Sequence, residues 1–376
     1  MVKIINVVGA RPNFMKIAPL MDAFREYEDL ETVLVHTGQH YDEQMNDLFF
    51  NQLEIPRPQI NLQIGSASHA VQTAEIMKAF EKVVLEEKPD AVLVVGDVNS
   101  TIACGLVTVK LGVKLIHVEA GLRSNDRSMP EEINRILTDS ISDMLFCTEQ
   151  QAVENLRREG VSPDRIFLTG NVMIDTLLRF KSKIQQSTIL ERIEVREGSY
   201  AVLTLHRPSN VDDPEQLERI ICALETVQRE LPVIFPIHPR TQKNLEVWDL
   251  NARINEAPNL HIIPPLGYLD FHKLLEGARL ALTDSGGIQE EALILKIPCV
   301  TLRENTERPI TIEMGGNCLA GSDPERIVAA ARRVLNGNGR SILAPPLWDG
   351  MAARRIARLV YESLTQKIAP IGMTQN

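Results

Sequence analysis

The sequence predicts an α/β protein built from two doubly wound parallel-sheet domains, and three observations carry that prediction. Short apolar, β-branched runs recur along the whole chain with helical stretches between them. These runs are continuously apolar rather than alternating, as strands buried on both faces of a parallel sheet must be. The length of 376 residues is too great for one ordinary core, so two domains are expected.

In the first half the strand candidates are "KIINVVG", "TVLVHTG", "AVLVVGD", "KLIHVEA", "MLFCTE" and "RIFLTG". The second half supplies "YAVLTLH", "VIFPIH", "LHIIPP", "RLALTD" and "PCVTLR". Between the two sets lies "KSKIQQSTILERIEVREGS", polar and poor in strand signal, which reads as helix plus linker near 181–199. The domains are therefore expected at 1–180 and 181–351. The first helix should open at Pro12, whose fixed φ suits a first turn, and Pro19 should kink or end it.

Composition bounds the function. A formal charge of −10 argues against a nucleic-acid backbone as partner, which requires a basic surface. No apolar run approaches the length of a membrane span, and "MVKIINVVGARPNF" meets an arginine too early for a signal peptide. The five cysteines, Cys104, Cys147, Cys222, Cys299 and Cys318, lie far apart without a CxxC spacing, so neither a disulfide framework nor a zinc site is indicated. A cytoplasmic enzyme without membrane or nucleic-acid partners is the expected class, and an anionic small molecule fits if basic groups are concentrated locally.

The residues at the strand exits are more informative. Leaving the strands, the chain shows Arg11, then Gln39 and His40, Asp97, Glu119, Thr148 and Glu149, His206 and Arg207, His238, "DSGG" and "RENTER". Ligands of open parallel sheets bind outside the carboxyl ends of the strands. These groups should therefore converge on one rim, expected to be a cleft between the domains.

Each motif also has a bland reading. In "NVVGARPNFMKIAP" a helix N-terminus with Arg11 and Lys16 nearby would attract phosphate, or both cations could be solvated surface. In "ALTDSGGIQEEALILKIPCV", Ser285, Gly286 and Gly287 would present backbone N–H groups to a diphosphate, with Glu290 or Glu291 in the first turn facing a ribose diol. The alternative is a capped helix whose acids match its dipole. It is neither GxGxxG nor GxxxxGK[ST], so no nicotinamide or ATP is indicated. Asp97 could merely cap the next helix, and Glu131 and Glu132, after Pro130, could merely match a dipole. Glu119 has no helix start beside it to explain it. His206 and His238 each end a strand, and no spacing of histidines supports a metal.

"GARPNFMK", "GDVNST", "HVEAGLRS" with "MPEEINR", "TGN", "LHR", "TDSGGIQEEA" and "TERP" occur in that order. Jointly they make the chain, from residue 1 to about residue 360, resemble the non-hydrolysing UDP-N-acetylglucosamine 2-epimerases. The resemblance implies a GT-B-type fold whose C-terminal helix, about 352–376, joins the N-terminal domain. It also implies a homodimer and interconversion of UDP-GlcNAc and UDP-ManNAc for surface polysaccharides, with no cofactor and no essential metal. By position, Arg11, Lys16, Ser285, Gly286, Gly287, Glu291 and Arg308 match residues that hold UDP, and Phe271 one near the uracil. Asp97, Glu119, Glu131 and His206 match the catalytic cluster.

There are departures. Leu266 stands where many members have a uracil-contacting glutamine, "TERPI" replaces TERPE, and "HRPSN" replaces an HRREN-like stretch. "GQHYDEQ" and "PIHPRTQ" differ from the pattern of substrate-activated members, which predicts hyperbolic rate curves. The segments "HTGQHYDEQM" and "IHPRT" also resemble a sister group acting on UDP-2,3-diacetamido-2,3-dideoxyglucuronate. A hydrolysing epimerase, a GT-B glycosyltransferase and a non-catalytic nucleotide-sugar sensor are the remaining alternatives. Proton transfer at sugar C2, which lacks an adjacent carbonyl, is expected to proceed by loss of UDP to a glucal, with carboxylates as acid and base.

Overall fold

The computed structural model describes residues 1–38, 54, 57–337 and 341–365, and Arg11 in its backbone alone. "QHYDEQM" after Gly38 lies outside the described residues. The chain divides into unit 1, Met1–Arg179 with Pro346–Asn376, and unit 2, Phe180–Pro345.

Unit 1 is built on a wholly parallel sheet of β1 (Val2–Val8), β2 (Leu30–His36), β3 (Ile60–Asn61), β4 (Ala91–Val95), β5 (Lys114–Ala120), β6 (Met144–Cys147) and β7 (Ile166–Leu168). Their order is β3-β2-β1-β4-β5-β6-β7, which reverses between β1 and β4. The inner strands β1, β4, β5 and β6 are buried on both faces over most of their length, which is why their sequences do not alternate. One layer packs Val7, Val35, Val92 and Val94 against Ile76, Phe80 and Val84 of the helix His69–Glu87.

The helix Arg11–Phe24 carries Pro12 in its first turn, as expected, and continues through Pro19 to Phe24, so Pro19 does not end it. Proline at 19 removes the N–H that would bond the carbonyl of Met15. Thr176 Oγ1 donates to that carbonyl instead, at 2.5 Å. Phe14, Ile17, Leu20, Met21 and Phe24 are all buried, and each such side chain contributes about 1.5–3 kcal/mol. That burial outweighs one lost helical hydrogen bond.

The helix Ala352–Leu364 belongs to unit 1. Its first N–H groups, at Ala352 and Ala353, are satisfied by the Asp175 carboxylate at 3.2 and 2.7 Å. Trp348 Nε1 donates to the Thr148 carbonyl, and Tyr361 stacks on Tyr27 with centroids 4.4 Å apart while its hydroxyl reaches Asp29.

Unit 2 repeats the plan with β8 (Ala201–Thr204), β9 (Val233–Pro236), β10 (Leu260–Ile263), β11 (Leu280–Thr283), β12 (Cys299–Thr301) and β13 (Asn317–Leu319), all parallel, in the order β10-β9-β8-β11-β12-β13. The order reverses between β8 and β11. Leu203, Phe235, Leu282 and Val300 fill one face, and Val202, Ile234, Ala281 and Cys299 the other. In each unit a ligand is expected at the reversal, outside the carboxyl ends of the strands. Among the described residues no helix is long and apolar enough to cross a membrane.

Candidate active site

At the reversal in unit 1, β1 leads into the helix Arg11–Phe24 and β4 ends at Gly96 and Asp97. Asn13 ties the two exits together: its Oδ1 accepts from the N–H groups of Gly9 and Ala10, and its Nδ2 donates to the Val95 carbonyl at 3.0 Å. Gly96 takes φ +71°, and a Cβ there would lie 3.1 Å from Lys16 Nζ and 3.9 Å from Glu119 Oε2. The left-handed φ favours glycine here, and a Cβ would press on the Lys16 ammonium.

Lys16 and Glu119 are both buried and form an ion pair. Lys16, matched by resemblance to UDP binding, thus stands with the acid of the catalytic set. Glu119 sits at φ +76°, at the point where the register of β5 with β6 shifts between Val118 and Ala120. A non-glycine residue in this region is costly and persists where the surroundings fix it. Asp97 does not cap the following helix, whose N-cap is Val98 without a side-chain bond. Its carboxylate pairs instead with Arg135 at 2.5 Å.

Glu131 and Glu132 do occupy the first turn of the helix Pro130–Ile141, and their fates differ. Glu132 is buried, bonds the Arg135 guanidinium at 2.6 and 2.9 Å, and accepts from the N–H groups of Ser124 and Asn125. Burial would raise its pKa, but these donors hold it below the usual carboxylate value. Glu131 is half-buried and, among the described residues, has no hydrogen-bond or ion-pair partner.

Behind this cluster, His117 bridges Asp139 Oδ1 at 2.7 Å and the Gly96 carbonyl at 2.9 Å. Asp139 also accepts from Gly121 N–H and pairs with Arg123, which pairs in turn with Glu159. Burial works against the Asp139 charge, but His117 and Arg123 hold its pKa below the ordinary value.

At the reversal in unit 2, β8 delivers His206 and β11 delivers Asp284 and Ser285. Asp284 is fully buried. It accepts from the N–H groups of His206 and Arg207 and from the Asn210 amide, and its Oδ1 lies 2.9 Å from His206 Nδ1. Burial opposes the charge, yet His206 and those N–H groups depress its pKa. His206 Nδ1 is thereby committed to Asp284. His238 proves to be a helix cap, its Nδ1 accepting from Arg240 N–H.

The helix Gly286–Leu295 comes directly after Ser285, which makes no side-chain cap, so its first-turn N–H groups face outward without intrahelical acceptors. A Cβ on Gly286 would come within 2.5 Å of Glu307 Oε1. Glu307 is buried beside Arg308, Arg303 and Arg207, which hold its carboxyl far below the usual range despite burial.

Glu290 and Glu291 lie in the second turn of this helix, not the first. Glu290 pairs with Arg308 at 2.7 Å, and Glu291 with the buried His272 at 2.9 Å. Burial lowers the His272 pKa, but Glu291 more than offsets it and the net direction is upward. Phe271 meets the His272 ring edge-on and is partly buried. Among the described residues no group of three or more His, Cys, Asp or Glu is disposed to hold a metal ion.

The sequence singled out Asp97, Glu119, Glu131, Lys16 and His206, but not Arg135 and Asp284, which pair with Asp97 and His206. Arg135 lay one turn beyond Glu131 and Glu132 within a motif already singled out. Asp284 stood beside Ser285.

The two doubly wound sheets, with carboxylates gathered after the strands of one and a Ser-Gly-Gly helix start after a strand of the other, define a GT-B-type α/β enzyme. The chain belongs to the UDP-N-acetylglucosamine 2-epimerase family, whose profile matches residues 22–361, and is an isomerase by class. A protein of Methanococcus maripaludis named UDP-N-acetylglucosamine 2-epimerase homolog is 49% identical over 87% of this chain and 90% of its own length. The UDP-2,3-diacetamido-2,3-dideoxy-D-glucuronate 2-epimerase of Pseudomonas aeruginosa is 42% identical over 89% of this chain and 92% of its own. The crystal structure of Methanocaldococcus jannaschii UDP-GlcNAc 2-epimerase in complex with UDP-GlcNAc and UDP superposes with a TM-score of 0.90 at 41% identity, covering 96% of this chain and 99% of that one.

Proposed function

We propose that this protein interconverts UDP-GlcNAc and UDP-ManNAc by losing and regaining UDP. The anomeric C1–O bond breaks with its electrons going to the diphosphate. A carboxylate removes the C2 proton, and the C2–H electrons form the C1=C2 bond of a 2-acetamidoglucal. Protonation on the opposite face of C2 and return of the phosphate oxygen to C1 complete the inversion. The reaction is redox-neutral.

One observation carries this reading: the acids of unit 1 are held by cations while Glu131 is not. Asp97 and Glu119 are each ion-paired, to Arg135 and Lys16, so both are suited to stabilising oxocarbenium-like charge or removing a proton. In unit 2, the outward N–H groups at Gly286 and Gly287, with His206 held by Asp284, suit the departing diphosphate. We assign Arg11, Phe271, Glu291 and Arg308 to UDP on the strength of the family motif. A homodimer and a role in supplying surface-polysaccharide precursors belong to the same proposal.

The test is an NMR time course with UDP-GlcNAc in D2O. UDP-ManNAc bearing deuterium at C2, with traces of 2-acetamidoglucal and UDP, is expected. Product that keeps its original C2 hydrogen excludes the mechanism. The P. aeruginosa relative favours a second reading, in which the sugar is the diacetamido-glucuronate. A much larger kcat/KM for that substrate would decide for it.

A further inference from the structure

We infer that Arg135 and Asn134 are positioning residues for Asp97, through which the helix Pro130–Ile141 holds that carboxylate ionised and in fixed register with Glu131. The inference rests on the proposed role of Asp97. Asn134 Nδ2 donates to the Asp97 backbone carbonyl at 2.9 Å, and Arg135 Nη1 meets its Oδ2 at 2.5 Å. One helical turn thus grips Asp97 at both its backbone and its side chain. Glu131 leads the same turn, and residues three and four apart share a helix face, so Glu131, Asn134 and Arg135 belong to one surface. Any rotation of the helix moves both acids together.

The grip is backed from behind. Glu132 binds the other edge of the guanidinium through Nε and Nη2, and is itself pinned by the N–H groups of Ser124 and Asn125. Ser124 Oγ adds a further contact to Arg135 at 3.4 Å. The series from the 124–125 turn through Glu132 and Arg135 to Asp97 ends at its most open charged member: the Asp97 side chain is 27% exposed, against 2% for Arg135 and 1% for Glu132. A buried, doubly bonded guanidinium aimed at a half-open carboxylate is a device for orienting that carboxylate, and a lysine lacks the planar fork to make both sets of bonds. One cation shared by two carboxylates also leaves the group with a net negative charge that can be altered from either side.

Other charges around Asp97 come from several elements. Lys16 and Glu119 flank Gly96, His117 bonds the Gly96 carbonyl, Glu131 shares the gripping helix, and His69 reaches Asn99 two residues along. The test therefore perturbs the grip in opposite directions. In Arg135→Met the acid limb of the kcat/KM profile with UDP-GlcNAc should move to higher pH by about one to three units, the range for a carboxylate losing an adjacent arginine. In Glu132→Gln the limb should move to lower pH, because Arg135 then serves Asp97 alone. Arg135→Lys should restore the limb while kcat stays at least tenfold down, and UDP affinity should hold within about threefold in all three.

A limb that stays in place in both Arg135→Met and Glu132→Gln, or moves the same way in both, overturns the inference. If Arg135→Met does not fold, the direction in Glu132→Gln alone decides. Asp97→Asn run in the same assay separates the two levels: near-wild-type turnover there sinks the catalytic role of Asp97 itself, whatever Arg135 does.

Discussion

Lys16 and Glu119 form a buried ion pair, and Glu119 makes it from a left-handed backbone at the end of β5. Breaking such a pair by removing one partner typically costs about 3–5 kcal/mol, because a buried charge loses its counter-ion. Lys16→Met should therefore lower stability by that order in urea unfolding, and Glu119→Gln by less, since the amide keeps hydrogen-bonding capacity. The double variant should regain part of the loss while staying inactive. Additive losses in the double variant would mean that the two side chains do not act as a pair.

In the proposed mechanism the acids act on the sugar, not on UDP. Asp97→Asn, Glu119→Gln and Glu131→Gln should each lower kcat by roughly 10²–10⁴-fold, the range for general acid–base steps, with UDP affinity nearly unchanged by calorimetry. Wild-type rates in all three would remove the cluster from the chemistry.

Gly286 cannot accept a side chain quietly, since the Cβ would meet a Glu307 carboxylate fixed by Arg303 at 2.7 Å. Gly286→Ala should displace the helix start and weaken UDP binding about tenfold or more, equivalent to at least about 1.4 kcal/mol. Equal UDP affinity in wild type and variant would take the Ser-Gly-Gly turn out of the binding site.

Asp175 supplies the pH test. Burial pushes its pKa up to about 6, against the pull of the Ala352 and Ala353 N–H groups. A carboxyl raised in the folded state contributes stability that is full below its ordinary pKa of 3.8 and lost as pH rises through the folded value. Relative to Asp175→Asn, the wild type should lose up to about 3 kcal/mol between pH 4 and pH 7. Parallel thermal-melt curves across that window would show that Asp175 titrates normally.

Legibility in the sequence tracks length and locality. All eleven strands anticipated from apolar runs are present, but β3 and β13, of two and three residues, were missed because "IN" and "NCL" carry no run to read. That Pro19 does not end its helix was not legible, because the Thr176 hydroxyl that takes the freed carbonyl comes from another helix far along the chain. The strand-end acids could be found because each ends an apolar run. The pairings could not: Lys16 meets Glu119, and His206 meets Asp284, through sheet order alone. Arg135 was the exception, close enough in sequence to be found by helical spacing from Glu132.

Unit 1 is written in two pieces, with the whole of unit 2 between them. During synthesis, Tyr27, Asp29 and Asp175 emerge long before the residues that cover them, Tyr361 and the N–H groups of Ala352 and Ala353. Unit 2, continuous from Phe180 to Pro345, is complete while the earlier-made unit still lacks a helix. The order of birth and the order of completion are therefore reversed, and a chain ending at Pro345 would contain every residue of the second unit while the Thr148 carbonyl of the first still lacked Trp348.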